Sequence, residues 1–337
     1  MVTGATGFIG AHIVDELLRR GLRVRGATRS LRKGEAMIKA RPQYADKLDF
    51  VQIEDFQNSN VFHGKMDGID GVVHAASPFT YDVQDNDKEL IQPAKNGVRS
   101  IMAAAESHPS IKRVVITSSF AAVMNVDRKA PPYFEYTAKD WNPLTEEEAR
   151  APETSPVVAY RASKKYAELT AWEWFTDGVD NERKVKGFDV VTLCPPMTFG
   201  PIVHPVNGVD NLNESNAMLW KIAKGETPLP VARVPFWIDV RDLAVAHVEA
   251  FLNPDAGGKR YLLGADDRFS YGLAAKIMAD NFGWAKEKVS QEDQTIDTSH
   301  GLENKAAAEA FRIKYRTFEE TVIDLIRQVK EMELKDA

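Results

Sequence analysis

Apolar residues recur along this chain at two spacings, one helical and one extended. Ile13, Val14, Leu17 and Leu18 follow the three-and-four rhythm of a helix that buries one side, and the run stops at Gly21. Leu22 to Thr28 then reads as a short strand. Four further apolar runs, Leu48 to Ile53, Ile69 to Ala76, Lys112 to Ser119 and Phe188 to Leu193, also read as strands. Their nearly continuous hydrophobicity suits a parallel sheet covered on both faces. Helical patterns over about 87–106 and 157–176 alternate with them, which predicts a doubly wound α/β fold.

The rhythm breaks after Leu193. Pro195, Pro196, Pro201 and Pro205 mark irregular chain, followed by helical patterns over 214–224, 244–252, 271–281 and 318–331 and short strands starting at Trp237 and Lys259. We therefore expect a nucleotide-binding domain over 1–193 and 236–264. A smaller C-terminal substrate lobe over 194–235 and 265–337 would close over the carboxyl ends of the strands, where open α/β sheets bind ligands. Asn125 to Pro156, polar and proline-containing, reads as a long loop or flap of the kind that is often functional.

The turn before the first helix carries the first chemical signal. In Thr3-Gly4-Ala5-Thr6-Gly7-Phe8-Ile9-Gly10, glycine at 4 permits a sharp turn, glycine at 7 clears room for a pyrophosphate, and glycine at 10 allows close helix packing. Phosphates would then meet free N–H groups at a helix N-terminus, as in a Rossmann sheet. Only Met1-Val2-Thr3 precede the turn, so the first strand is expected to be short or shortened. About 20 residues on, where an NAD-binding unit places an acidic residue, stands Arg29. A guanidinium pairs with a 2′-phosphate, and Ser30, Arg32 and Lys33 add donors. Such contacts are worth about 1.5–3 kcal/mol each, or roughly one to two decades of preference for NADPH over NADH.

Composition narrows the classes that remain. With 337 residues, 44% hydrophobic and 27% charged, the chain has the composition of a globular protein. Its 43 basic and 49 acidic residues give a net charge of −6, which offers no electrostatic case for nucleic acid or an anionic membrane. Cys194 stands alone, which rules out an intramolecular disulfide and a multi-cysteine zinc site and suits a cytoplasmic, reducing setting. No histidine pair has metal-ligand spacing on a helix, so no metal is expected. No signal peptide or apolar 18-mer is evident.

Tyr160-Arg161-Ala162-Ser163-Lys164 sets a phenol and an ammonium four residues apart, on one helix face. A cation about 5–6 Å away at an effective dielectric near 20 favours phenolate by about 3 kcal/mol. That brings a tyrosine toward acid–base work. The spacing alone arises readily by chance, and the order of the pieces is the stronger signal: glycine turn, Arg29, a strand ending in Thr117-Ser118-Ser119, Tyr-x-x-x-Lys, then a strand ending at Pro195.

In that order the chain resembles the extended short-chain dehydrogenases/reductases over nearly its whole length. Val114 to Ser119, Gly200-Pro201 and Asp239-Val240-Arg241-Asp242 are most similar to the branch of plant dihydroflavonol and cinnamoyl-CoA reductases and fungal NADPH-dependent ketone, aldehyde and methylglyoxal reductases, and among these to the fungal group. The resemblance implies an NADPH-dependent carbonyl reductase with Tyr160 as proton donor, Lys164 on the nicotinamide ribose and Ser119 on the carbonyl oxygen, Ser118 being the fallback. It further implies cofactor contacts from Gly4, Thr6, Gly7, Phe8, Ile9, Gly10, Arg29, Lys33, Asp55, Ala75, Ala76, Thr117, Pro195 and Met197. Asn96 falls where some relatives place a proton-relay asparagine, with helix packing the alternative. The chain departs from the fungal pattern at Cys194-Pro195-Pro196-Met197-Thr198, where relatives tend to read Asn-Pro-Ser; the change removes a hydroxyl and a backbone donor at 196.

For the substrate, Phe79, Phe120, Met124, Phe199 and Trp220 are the chosen pocket residues, with Tyr133 and Leu219 also weighed; for each, plain core packing is the competing role. His74 is expected to be a packed histidine, Arg241 and Asp242 a lobe-anchoring pair, and Trp172 and Trp174 core or dimer surface. A monomer or homodimer acting on a small carbonyl compound is expected. Two rivals share the fold: a nucleotide-sugar epimerase or dehydratase that keeps its NAD bound, and a non-enzymatic NADP sensor. Against the first stand Arg29, the sequence Phe120-Ala121-Ala122 after the serine and the lack of a Thr-Asp-Glu set; against the second stands the presence of both Tyr160 and Lys164.

Overall fold

In the strands Gly71–His74, Arg113–Thr117 and Asp189–Cys194 neighbouring residues point to opposite faces, and both faces are buried. Val73, Val115 and Val191 face one core with Ile13, Val14 and Leu17, while Val72, Val114 and Val190 face another with Ile101, Met102 and Phe175. This two-sided burial explains the continuous apolar runs of the sequence. The computed structural model describes residues 1–77, 82–176 and 187–336. Its first half contains β1 (Val2–Thr3), α1 (Phe8–Arg19), β2 (Val24–Thr28), α2 (Leu31–Lys39), β3 (Leu48–Gln52), β4 (Gly71–His74), α3 (Gln92–Glu106), β5 (Arg113–Thr117), β6 (Phe134–Tyr136), α4 (Glu146–Arg150), α5 (Pro156–Thr176) and β7 (Asp189–Cys194). The second half adds β8 (Met197–Phe199), α6 (Glu214–Ala223), β9 (Trp237–Asp239), α7 (Val240–Leu252), β10 (Lys259–Leu262), α8 (Tyr271–Asn281), α9 (Gly283–Lys286), β11 (His300–Leu302), α10 (Lys305–Phe311) and α11 (Phe318–Asp336).

Seven strands form one parallel sheet in the order β10-β7-β5-β4-β1-β2-β3. The strand order reverses beside β1, which pairs with β2 on one side and β4 on the other. A crevice opens at such a reversal, outside the carboxyl ends. Although β1 is only two residues long, Val2 is fully buried between Gly26 and Val73.

Chain beyond the sheet builds a separate core from Phe199, Leu219, Trp220, Phe269, Phe318 and Leu325. Polar contacts tie α11 to the start of α7. Asp239, fully buried, caps α7 through the Arg241 N–H (2.7 Å) and accepts from the Arg241 guanidinium (2.9 and 2.7 Å) and the Thr321 hydroxyl (2.7 Å). Arg241 reaches on to Asp324 at 2.7 Å, and Arg316 pairs with Asp242. Arg241 and Asp242 thus serve as anchors, as the sequence suggested.

One sequence expectation changes here, and one element was not foreseen. The stretch Asn125 to Pro156 is not a featureless loop: it contains β6, which pairs with β11, and α4, which starts with a capping box between Thr145 and Glu148. Residues 31–39, where only Arg32 and Lys33 were singled out as donors, form the helix α2, with Gly34 and Met37 buried and its basic residues outward.

Replacing Asp239 by Ala removes a helix cap and charge-assisted bonds to Arg241 and Thr321, and is expected to cost about 3 kcal/mol or more in denaturant-unfolding measurements. Asp324→Ala, which breaks only the half-exposed end of the same chain of contacts, should cost less than about 1 kcal/mol.

Candidate active site

Geometry at the glycine turn follows from what a side chain would strike. Gly4 has φ +67°, a left-handed conformation, and lies against the Ala76 backbone; a Cβ at Gly10 would sit 2.1 Å from the Gly4 carbonyl oxygen. Gly7 is the N-cap of α1, which has neither a side-chain cap nor an acidic residue in its first turn. That leaves a helix N-terminus facing a cavity of about 630 Å³ with its positive dipole end uncompensated.

The cavity crosses the carboxyl ends of β1, β2, β4 and β5 and brings together much of the predicted cofactor set. Gly4, Thr6 and Gly7 line one wall, Arg29, Lys33 and Asp55 one end, Ala75 and Ala76 the middle, and Thr117 and Lys164 the other end. Arg29 and Lys33 are exposed, and neither side chain has an ion-pair partner among the described residues. Asp55 accepts from the Gln57 N–H at 2.8 Å, shaping its own turn. Six predicted contacts, Phe8, Ile9, Gly10, Tyr160, Pro195 and Met197, fall outside the lining. Gly10 lies buried behind the turn, Ile9 packs against the core, and the Phe8 ring rests against His12 (6.1 Å) and His204 (6.0 Å). Those side chains pack instead of facing the cavity.

Strand β5 and helix α5 converge at the Lys164 end. Pro156 opens α5, a residue whose missing N–H costs nothing in a first turn. Tyr160 and Lys164 lie one turn apart on it, Tyr160 half-buried and Lys164 buried, with Lys164 Nζ donating to the Thr117 carbonyl at 3.2 Å. Burial lowers Lys164 to about 8, against the opposing pull of Glu168. The two adjacent serines have different surroundings. Ser118 is buried and donates to Glu168 at 2.6 Å, while half-buried Ser119 caps a short turn, its Oγ accepting from the Ala121 N–H at 3.1 Å. Ser118 is therefore committed to a buried carboxylate. Pro195 accepts from the Phe120 N–H at 2.8 Å, linking the end of β7 to this corner, and Met197 is 38% exposed nearby in sequence.

Histidines around the site are neutral. His74 is buried in the cavity wall, bonded to Thr3 Oγ1 at 2.9 Å, and burial followed by the charge of Lys164 lowers it to about 3. It is packed as expected, yet it also faces the cavity. His247 was not singled out from the sequence. Its Nδ1 meets the Leu243 carbonyl at 2.8 Å and so carries the proton, leaving Nε2 to accept from the Thr117 hydroxyl at 2.7 Å. Burial holds it near 4.

Substrate-side expectations fare unevenly. Phe199 is fully buried against Phe269 and Phe318, and Trp220 is buried against Trp284, so both belong to the second core, and Leu219 joins them there. Phe120 is buried edge-on to Tyr136 and Phe236. Met124 is half-buried and borders a second cavity of about 410 Å³ with Arg128, Arg233 and His300. Tyr133 is 62% exposed. Asn96 accepts from Arg99 on its own helix at 3.1 Å, and Trp172 and Trp174 pack partly buried on the core beside α3. Phe79 lies outside the described residues.

Sequence reasoning missed Glu168, which sits one turn beyond Lys164 and accepts from Ser118, Thr192, Arg260 and Cys194. The signal available was its i, i+4 spacing from Lys164.

Comparison with known proteins agrees with this geometry. Residues 1–264 match the family described as NAD dependent epimerase/dehydratase. An oxidoreductase of Schizosaccharomyces pombe is 38% identical over 98% of this chain and 96% of its own. The NADPH-dependent methylglyoxal reductase of Saccharomyces cerevisiae is 31% identical, with 98% of each chain covered. The crystal structure of Gre2 from Candida albicans in complex with NADPH superposes with a TM-score of 0.88 at 32% identity, again with 98% of each chain covered. The likeness in sequence and fold thus runs across whole chains, and the protein belongs to the NAD dependent epimerase/dehydratase family, with fungal reductases among its relatives.

Proposed function

We propose that this protein is an NADPH-dependent carbonyl reductase that converts aldehydes or ketones, including keto esters and methylglyoxal-like compounds, to alcohols. The observation that carries the reading is the arrangement of the cavity: two cations without an ion-pair partner among the described residues, Arg29 and Lys33, stand beside Asp55 at one end, and the Lys164 helix at the other. Arg29 and Lys33 suit a 2′-phosphate, and the uncapped start of α1 suits the pyrophosphate. NADPH, when bound, supplies the hydride for the carbonyl carbon.

The chain's own groups then handle the oxygen. Tyr160 donates the proton, Lys164 keeps the phenol acidic and holds the ribose, and Ser119 donates to the oxygen as negative charge grows there, an interaction stronger in the transition state than before it. Of the two serines, Ser119 suits this role because the Ser118 hydroxyl already serves Glu168. Met124 and Met197, less buried than Phe199 and Trp220, suit the organic part of the substrate. We assign residues 194–235 and 265–337 to the lobe that encloses it. Among the described residues no helix is long and apolar enough to cross a membrane, and the single cysteine suits the cytoplasm.

Loss of absorbance at the NADPH band, followed with a panel of aldehydes, diketones, keto esters and a flavanonol and repeated with NADH, tests the reading directly. Fast, NADPH-preferring turnover is expected; no turnover, or tightly held NAD that survives dialysis, would overturn it in favour of an epimerase. Tyr160→Phe should lower kcat by about 10²–10⁴ with NADPH binding retained. In Arg29→Ala the preference for NADPH should fall by about one to two decades in kcat/KM. The serines should separate by readout: Ser119→Ala loses about 10²–10³ in kcat with little change in Tm, whereas Ser118→Ala loses about 1.5–3 kcal/mol of stability.

A further inference from the structure

Helix α5 places Tyr160, Lys164 and Glu168 at successive turns, so the side chains share one face. Glu168 is 1% exposed, yet its carboxylate is fully occupied: it accepts from Arg260 Nε (2.8 Å) and Nη2 (3.2 Å), Ser118 Oγ (2.6 Å), Thr192 Oγ1 (2.6 Å) and Cys194 Sγ (3.5 Å). These donors lie on β7, on β10 and just after β5, three adjacent strands, and Trp172 Nε1 on α5 adds a longer bond at 3.4 Å. Arg260 also faces outward from the carboxylate. Its Nη1 donates to the carbonyls of Ala138 (3.0 Å) and Asp140 (2.5 Å), and its guanidinium stacks on Trp141 at 3.7 Å.

We infer that Glu168 is a positioning residue for the reduction, a single carboxylate that fixes Lys164, the serine corner and, through Arg260, residues 138–141 in one arrangement. This rests on the roles given above to Lys164 and Ser119. Charge inventory supports it. The titratable groups around Lys164 are Tyr160 and Glu168 on its own helix, His74 on β4 and Cys194 on β7, with Arg260 on β10 meeting Glu168 and Cys194 from the far side. Burial lowers His74 to about 3 and raises Cys194 to about 12, so both are neutral at pH 7. Burial also opposes the charge on Glu168, but attraction to Arg260 and the bonds from Arg260, Ser118 and Thr192 hold its carboxyl below the ordinary range. Among the described groups of this buried set, two cations therefore share one anion. Removing the anion favours the neutral amine, so Lys164 would release its proton at lower pH.

The test uses the full-length protein labelled with [13C]lysine, the Lys164 resonance being identified by its loss in Lys164→Met. Lys164 is expected to titrate near 8 in the parent protein. In Glu168→Gln it should titrate about one to three pH units lower, and the alkaline limb of kcat for NADPH-dependent carbonyl reduction should move in the same direction. Glu168→Gln with Arg260→Met removes both charges of the buried Glu168–Arg260 pair, so neither is left without its counterion; the variant should fold and show a smaller shift of the same sign. If the single variant fails to fold, the double variant decides alone. An unmoved titration and limb in a folded variant, or failure of both variants to fold, assigns Glu168 to stability only and overturns the inference. A parent protein with no turnover would refute the reductase reading instead, and the lysine titration, taken without substrate, would keep the two failures apart.

Discussion

A parallel sheet covered on both faces confines chemistry to its ends. Because Val72, Val114 and Val190 are buried as completely as Val73, Val115 and Val191, nothing polar can be placed mid-strand without a buried partner. The reactive groups accordingly appear where β5 stops at Thr117 and where the turn after β1 opens a helix. The same constraint makes close packing at the glycine turn obligatory. With only Val2 and Thr3 between two long neighbours, α1 must approach the sheet through Gly10 or not at all.

Burial at the strand ends also sorts the ionisable groups into charged and neutral sets. Histidines that approach Thr3 and Thr117 serve as neutral hydrogen-bond partners, each satisfied by a threonine hydroxyl, and the lone thiol of Cys194 is a weak donor to a carboxylate. Positive charge is kept where an anionic ligand would need it: exposed at Arg29 and Lys33, buried at Lys164. Each of these positions lies at an end of one crevice, and each end also carries carboxylates, Glu54 and Asp55 beside Arg29 and Lys33 and Glu168 beside Lys164.

The sheet was legible in the sequence because two-sided burial writes continuous apolar runs, and Tyr160, Lys164 and the glycine turn were legible because local spacing fixes their geometry. Elements missed were those whose apolar pattern is too short to show a period: β8 and β11, three residues each, exist only through pairing with distant chain. Helix α2 was hidden by its charge, since only Gly34 and Met37 of its nine residues are buried. Phe199 was drawn toward the substrate by its nearness in sequence to the strand-end motifs, and Trp220 by its apolar bulk. In space the second core claims them, because a small lobe needs its large rings to exclude water and has none to spare.

Long-range polar contacts are the part that no local pattern encodes. Arg260 stands 92 residues from Glu168, and Asn142 crosses from the former flap to donate to the carbonyls of Ala121 (2.8 Å) and Arg161 (3.0 Å). Each sits in an unremarkable stretch of sequence. Together they hold the segment around Trp141 against the serine corner from two sides, one through a buried ion pair and one through a buried amide. A loop attached only by apolar contacts can slide by small steps, whereas directional bonds to specific carbonyls are either made or broken. Residues 138–142 are therefore fixed beside the serine corner, and on the proposed reading the freedom to admit differently shaped carbonyl compounds comes from less constrained side chains such as Met124 and Met197, whose unbranched thioethers repack at small cost.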